Sequence, residues 1–516
     1  MDSLKKYVVI LTAILVMLTV VVCSCSQTAG SDSQSGLPLS SAPASGYSSS
    51  GALQSVPPYS SDSSDAVSSS EVQPSLSVQS SESSTSASSG LPHYFPPAGG
   101  AAAVSSTVSI PSVPSPNQSV SKPEQSDDAP TSQAPTVPPQ EDSQTPNAGA
   151  DEDGEMRAVW ISYIELNFTG LNAEQSKQKL QEMFNSVKDM GFNTVIVHAR
   201  SHGDAYYKSS YFPYSSYITG TQGADPGWDP LEYMVELAHG LGLKIQAWIN
   251  PYRVSSASDD PMTLAESNKA RQWLTDSDPS NDDWAIRYNG GIYFNPAIPE
   301  VRRLIIDGIR EIVQNYDVDG VHFDDYFYPT TDAGFDAAAY SEYASSGGGL
   351  SLADWRRAQV NTLVSGVYQA VKSIDEDIPF GISPAGNISN CYNSMYADVE
   401  LWMSRKGYID YICPQLYWGF EYPNEQFRFN NIADTWSSLD MHDGLKLYFG
   451  LAVYKSGTTD AGSDEWIRNN DIIKRQIEYS RTKSNCSGVI LFSYSYVVSN
   501  VESCANEREN YLLLFN

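Results

Sequence analysis

From Met156 onward, short apolar runs alternate with longer stretches whose apolar residues recur every three or four positions. The first pattern marks strands and the second marks amphipathic helices. Arg157 to Tyr163 (RAVWISY) reads as a first strand. Asn172 can cap a helix from Ala173 to about Met190, with Leu180, Met183, Phe184 and Val187 on one face and Gly191 as its stop. Asn193 to Arg200 (NTVIVHAR) is a second strand, followed by an aromatic loop to Trp228. Asp229-Pro230 opens the next helix, with Asp as cap and Pro at the first position. Lys244 to Asn250 is a third strand, ending Asn250-Pro251-Tyr252-Arg253, and an insertion fills Val254 to Asn289. A helix from about Pro299 to Tyr316 leads into a fourth strand, which runs Asp319-Gly320-Val321-His322-Phe323-Asp324-Asp325-Tyr326. Helices near Leu352–Ile374, Met395–Arg405, Phe427–Leu439, Trp466–Thr482 and Val501–Leu514 then alternate with strands at Phe380–Pro384, Tyr408–Trp418, Lys446–Tyr454 and Gly488–Tyr494.

Apolar strands alternating with helices predict an α/β fold with a parallel sheet. Eight such units in roughly 360 residues predict closure into a (β/α)8 TIM barrel. No G-x-G-x-x-G follows the first strand and no P-loop occurs, so a nucleotide-binding open sheet has no support.

The barrel domain is expected over residues 154–516. Ahead of it, Lys5 and Lys6 precede the apolar run Tyr7 to Val22, the layout of a secretory signal. The run ends Val22-Cys23-Ser24-Cys25 and resembles a bacterial lipoprotein cleavage box, with Cys25 as the lipidated residue. Residues 1–25 are therefore read as a lipoprotein signal, with an uncleaved anchor as the alternative. Residues 26–153 are rich in Ser, Pro, Ala, Gly and acids, and Lys122 is their only Lys or Arg. Such a segment cannot bury enough apolar surface to offset its ordering entropy, so it reads as a disordered linker. As a flexible coil it would average about 60 Å end to end. These readings place the barrel outside the cytoplasm, lipid-anchored to a bacterial cell membrane and monomeric.

The formal net charge of −30 argues against nucleic acid, whose phosphates need a basic footprint, and against docking of the folded part on an anionic membrane. A neutral or mixed-charge polysaccharide is compatible with it. Beyond Cys23 and Cys25, the chain has Cys391, Cys413, Cys486 and Cys504, with no zinc spacing. Cys413 reads as a buried thiol, and Cys486 and Cys504 could pair in an oxidising compartment, though their spacing does not establish it.

The chemistry collects at the carboxyl ends of the strands, where barrel active sites are built. Alternation puts Val321, Phe323 and Asp325 on one face of the fourth strand and His322, Asp324 and Tyr326 on the inner one. The same count brings in His198 and Arg200, Trp248 and Asn250 with Tyr252 and Arg253 beyond them, Ser383, Gln415, Tyr417 and Trp418, Tyr448 and Tyr454, and Ser493 or Tyr494. Flat rings among amides and charged donors suit the faces and hydroxyls of sugars. Glycoside hydrolysis needs two carboxyl groups. Asp324 is the first candidate. Asp325 is expected to point away from it and fix the loop or pair with His322 or Arg200. Glu421 is the leading candidate for the second carboxyl, with Asp204 and Glu165 as alternatives. His198, His202 and His322 could gather a metal with Asp324. With no H-E-x-x-H or H-x-H present, neither metal nor other cofactor is expected. A non-catalytic glycan-binding barrel is the alternative to an enzyme.

With these residues in view, the chain resembles the glycosyl hydrolase-like 10 family, also called family 10 glycosylhydrolase-like lipoproteins. The resemblance spans about Met156 to Phe515. It rests on RAVWIS, GFNTVIVHAR, DPGWDPLEYMVELAH, AWINPYRV, YFNPAIPEVR, DGVHFDDYFYP, FGISPAG, DYICPQLYW and LYFGLAVYK, in that order. It implies a (β/α)8 barrel and glycosidase activity in the bacterial envelope, some members being similar to enzymes that cut peptidoglycan strands stripped of their peptides. The family's functional pattern falls on Asp324, Asp325, Asn250, Arg253, Gln415 and Tyr417. Members carry acids at the end of the eighth strand, where this chain has Ser493-Tyr494-Ser495-Tyr496, so a role for those acids does not carry over. The loop His202-Gly203-Asp204 also differs.

Overall fold

The computed structural model describes residues 154–515. The signal, Cys25 and the linker expected in residues 1–153 lie outside the described residues. Eight parallel strands form a closed barrel: β1 (Met156–Ile161), β2 (Thr194–Arg200), β3 (Lys244–Ile249), β4 (Val321–Phe323), β5 (Phe380–Ile382), β6 (Tyr411–Ile412), β7 (Lys446–Ala452) and β8 (Cys486–Phe492). Each strand pairs with the next, and β8 returns to β1 through Met156↔Gly488 to Val159↔Leu491.

Alternation sorts side chains into two cores. Ala158, Trp160, Ile196, Trp248, Tyr411, Cys413, Tyr448 and Ile490 pack inside the barrel. Val159, Val195, Val197, Ala247, Val321 and Phe323 point outward into the layer shared with the helices. Gly381 of β5 gives Tyr411 its place in the barrel: a Cβ there would lie 2.1 Å from the Tyr411 ring.

The helices begin where capping chemistry begins them. Asn172 accepts the Gln175 backbone N–H at 2.9 Å while the Gln175 side chain accepts the Asn172 N–H, a reciprocal box opening Ala173–Asp189. Replacing Asn172 with Ala should lower the unfolding free energy by about 1 kcal/mol in urea denaturation. Asp229 caps Pro230–Gly240 with its side chain alone, Oδ1 accepting the Leu231 and Glu232 N–H groups at 3.1 and 3.2 Å.

Some elements depart from the expectation. The helix expected over Trp466–Thr482 is two, Glu465–Arg468 and Ile472–Ser480, broken at the polar run Asn469-Asn470-Asp471. The strand expected over Tyr408–Trp418 keeps a ladder only at Tyr411–Ile412, with an isolated bridge at Gln415. The insertion after β3 builds an antiparallel sheet of Arg253–Ser255, Ala285–Tyr288 and Gly291–Phe294. Cys391, Cys413, Cys486 and Cys504 are all free, so Cys486 and Cys504 are not paired.

Candidate active site

β4 is only three residues long, and its chain leaves the ladder at Phe323. The two residues that follow carry the acids. Asp324 is buried, and both its oxygens are occupied. Oδ1 accepts the Tyr326 backbone N–H at 3.1 Å. Oδ2 accepts Trp248 Nε1–H at 3.0 Å and the Asn250 amide. A carboxylate offers about four acceptor positions, so one remains.

The orientation of Asn250 follows from its neighbours. His198 Nδ1 accepts the Tyr163 N–H at 3.1 Å, so His198 Nε2 carries the proton and donates to Asn250 Oδ1 at 3.0 Å. Arg253 Nη2 donates to the same oxygen at 2.9 Å. Only the Asn250 NH2 is left for Asp324. The His198 ring stacks on Trp248 with centroids 3.4 Å apart, and the Arg253 guanidinium lies between the Tyr326 and Tyr163 rings, 4.6 and 5.6 Å away. β2 and β3 thus supply a buried donor set aimed at one carboxylate.

Asp325 is held more loosely. It is half-buried, and its Oδ1 accepts Gln415 Nε2–H at 3.3 Å, while the same amide also donates to the Ser383 carbonyl at 3.1 Å. The expectation that Asp325 would turn away and pair with His322 or Arg200 is corrected here. Strand alternation no longer governs a residue two positions past the last ladder pair. Burial first, then the charge of Asp324, push the Asp325 carboxyl up to about 7. Burial also raises Asp324, but Arg253 and three hydrogen-bond donors oppose it. Two adjacent carboxyls in unlike environments separate into one that ionises and one that keeps its proton near neutrality.

The chain's likeness to known proteins runs through this site. The family model described as Glycosyl hydrolase-like 10 matches residues 155–468. The chain belongs to the glycosyl hydrolase-like 10 family. Among its relatives, "Glycosyl hydrolase YngK" of Bacillus subtilis (strain 168) is 38% identical over 60% of this chain and 62% of that protein. The chain therefore spans less than two thirds of that relative's length. "Glycosyl hydrolase DigH" of Escherichia coli (strain K12) is 33% identical over 70% of this chain and 88% of that protein. Among solved structures, the PgaB (BpsB) glycoside hydrolase domain from Bordetella bronchiseptica is similar in fold over 69% of this chain and 99% of that one, at 14% identity and a TM-score of 0.48. The family and both sequence relatives are named for glycosyl hydrolases.

Around the pair, this glycosyl hydrolase-like 10 barrel redistributes several of the expected residues. The ladder slips between His198 and Arg200, whose partners are Trp248 and Ile249. That bulge turns Arg200 out of the lumen. It packs on Phe212 at 4.1 Å and donates to the Asn250 and Pro251 carbonyls at 3.3 and 3.0 Å, fully buried. Arg200 is thus a brace behind the site and not a sugar contact. Tyr252 is also fully buried, in the outer core, which corrects its reading as a substrate residue. His322 is inside the barrel with no exposed surface: Nε2 accepts Trp160 Nε1–H at 3.1 Å and Nδ1 donates to Tyr411 Oη at 2.7 Å. It forms part of the barrel's floor and does not reach a ligand. Trp418 stacks on Phe427 with centroids 5.0 Å apart, against the outer core. Tyr326 is 46% exposed, and Tyr417 and Gln415 are half-buried, so these line the opening.

The other candidate carboxylates are engaged elsewhere in this family member. Glu421 is exposed and pairs with Arg468 at 2.6 Å. Asp204 is buried, accepts Gln222 Nε2–H at 3.0 Å, and is raised to about 6 chiefly by burial. Glu165 accepts Ser493 Oγ–H at 2.6 Å, the Ser162 N–H at 2.9 Å and the Ser495 N–H at 3.3 Å, with Ser162 Oγ also bonded. A carboxylate does therefore stand at the end of β8, but it arrives from the loop after β1. Among the described residues, no group of three or more His, Cys, Asp or Glu is arranged to hold a metal.

Tyr163 was overlooked by the sequence reading. Its N–H fixes the His198 tautomer, and its ring packs against His198, His202 and Arg253. It sits two residues past the end of β1, where the same strand-end rule would have found it.

Proposed function

We propose that this protein is a membrane-tethered, extracytoplasmic glycoside hydrolase that cuts a cell-envelope polysaccharide, with peptide-free peptidoglycan strands as the substrate to test first. One observation carries the reading: Asp325 stands at an aromatic-lined opening, loosely bonded and protonated near neutrality, beside the tightly bonded Asp324. An acid with a pKa near the working pH is suited to protonating a glycosidic oxygen. An ionised neighbour stabilises the positive charge that develops at the sugar's anomeric carbon. Tyr326, Tyr417, Gln415 and Arg253 supply ring faces and donors for a sugar. The signal-like run ending at Cys25 and the Ser/Pro-rich stretch after it support export and tethering.

The test is release of new reducing ends from peptide-free peptidoglycan and from a panel of neutral glycans, with products identified by mass spectrometry. Binding without release from any of them would replace the enzyme with a glycan-binding barrel. Because Glu421 is exposed and paired with Arg468, Glu421→Gln should leave the turnover rate on a cleaved glycan unchanged. A large loss would return Glu421 to the catalytic pair.

A further inference from the structure

Glycoside hydrolysis usually needs a second carboxyl group on the far face of the sugar from the acid. Asp324 and Asp325 stand at the end of β4, and in the closed ring of eight strands β4 faces β8. Glu165 stands on that facing wall, bonded to Ser493 and Ser495 beyond β8 and to Ser162 beyond β1. One layer below the mouth, side chains bridge the lumen between the two walls. Phe492 of β8 packs on Trp160 of β1 with centroids 5.9 Å apart, and Trp160 Nε1–H reaches His322 Nε2 of β4 at 3.1 Å. Two residues further along these strands, Ser162 and Asp324 stand at the two rims. A chain of bonds also runs round the rim, from the Tyr163 N–H to His198, from His198 to Asn250 and from Asn250 to Asp324. It takes in β1, β2, β3 and β4 in turn, half of the ring, so its ends lie on facing walls.

The two Glu165 oxygens are held differently. Oε2 accepts the Ser162 N–H at 2.9 Å and the Ser162 hydroxyl, which is itself fixed by accepting the Ile164 N–H at 3.2 Å. Oε1 accepts Ser493 Oγ–H at 2.6 Å and the Ser495 N–H at a long 3.3 Å. Ser493 Oγ also lies 3.3 Å from Ser495 Oγ, so its hydroxyl can turn to a second acceptor. That rotation frees a lone pair on Oε1 while Oε2 keeps the group in place. The carboxyls also stay close to their own walls: Glu165 is bonded to backbone N–H groups, and Asp325 has a side chain of one methylene. The gap between them is the breadth of the mouth. Retaining enzymes need carboxyls only about 5–5.5 Å apart, whereas inverting ones leave about 6.5–9.5 Å for a water.

We propose that Glu165 is the general base of an inverting hydrolysis, acting through Oε1 across the mouth from the acid Asp325; this rests on the glycosidase reading above. A water between Glu165 and the sugar bonds through its oxygen to C1, and its proton goes to Oε1. The C1–O bond to the leaving sugar breaks, its electrons stay on the leaving oxygen, and that oxygen takes the Asp325 proton. One displacement at C1 inverts its configuration. Asp325 is left ionised and Glu165 protonated, and exchange with solvent restores both. Water is the only co-reactant.

The experiment uses the full chain and peptide-free peptidoglycan strands, or whichever glycan of the panel is cleaved. Proton NMR of the first product should show inverted configuration. Glu165→Gln should lower kcat by roughly 10²–10⁴-fold, the usual contribution of a positioned base. Its affinity for the strands in calorimetry should stay within about threefold of wild type, because the lost interaction is made only in the transition state. Glu165→Asp keeps a base and should turn over at least about tenfold faster than Glu165→Gln. A carboxylate that only braced the Ser162 and Ser493 ends would give the reverse order, since Gln preserves the length of the brace. A retained product, a Gln variant within about tenfold of wild type, or Gln faster than Asp overturns the proposal and leaves a glycosidase standing. If no glycan of any kind is cleaved, the glycosidase reading fails and this one with it. The product's configuration is read on the wild-type protein, so that test stands even if a variant does not fold.

Discussion

Asp325→Asn should lower turnover of a natural glycan by roughly 10²–10⁴-fold, the usual contribution of a positioned general acid. Asn keeps the shape and can still meet the Gln415 amide region, but it has no acidic proton to give. The loss should shrink on aryl glycosides, whose leaving groups depart without protonation. The pH dependence separates this from a folding defect. In the wild-type protein the carboxyl stays protonated up to about 7 because burial and the Asp324 charge disfavour its anion. The acid is therefore present below that pH and is lost as pH rises through it, so kcat/KM should fall on the alkaline side of about 7. The Asn variant should lack that limb. Steady-state kinetics between pH 5 and 9 on a natural glycan and an aryl glycoside check all three statements.

Asp336→Ala should lower the unfolding free energy by about 3–5 kcal/mol, the range for removing one partner of a buried ion pair. Asp336 and Arg356 have no exposed side-chain surface. Arg356 Nε donates to both Asp336 oxygens at 3.1 and 3.0 Å, Nη1 to Tyr396 Oη at 3.0 Å and Nη2 to the Asp332 carbonyl at 2.7 Å. The Tyr328 and Tyr396 rings each lie 5.2 Å from the guanidinium. Without Asp336 this cation keeps its desolvation cost and loses its counter-charge. The double change Asp336→Leu with Arg356→Met should recover much of the loss, since an apolar pair of similar volume has no charge to desolvate. Chemical denaturation of the two variants against wild type measures both effects. Tyr328, Asp332 and Asp336 all follow β4 in the chain, so this cluster anchors the far end of the loop that begins with the two acids. The single variant should also lose activity in proportion to that loop's disorder.

The barrel was legible because its signal is redundant. Eight apolar runs and the helices between them each obey a period, and Asn172 and Asp229 mark helix starts by capping chemistry. Where the period failed, local geometry had taken over. Ala337–Ser345 is a helix with no buried residue, so it carries no apolar stripe to read. The insertion's hairpin did carry a signal that went unused. Asn289 and Gly290, with φ of 48° and 76°, form the two-residue turn between Tyr288 and Gly291, and Asn-Gly is the commonest choice for such a turn. The site was half legible. Asp324, Trp248, Asn250 and Arg253 do converge. Arg200 was misplaced by a one-residue slip in β2 that no pattern in NTVIVHAR announces. Asp325 was misplaced because alternation was carried two residues beyond the strand. Glu421 was chosen for its position after β6, but nothing in the sequence shows that Arg468 lies within reach of it.

The histidines at the barrel's mouth and floor have a practical consequence for any titration. Burial, aided by Arg253, keeps His198 and His202 neutral well below the ordinary imidazole range, and burial takes His322 to about 3. The residues usually blamed for a transition near neutrality are silent in this site. An inflection near pH 7 in catalysis would therefore report a carboxylic acid, and carbonyl-stretch infrared difference spectroscopy could follow it as the loss of a protonated-acid band.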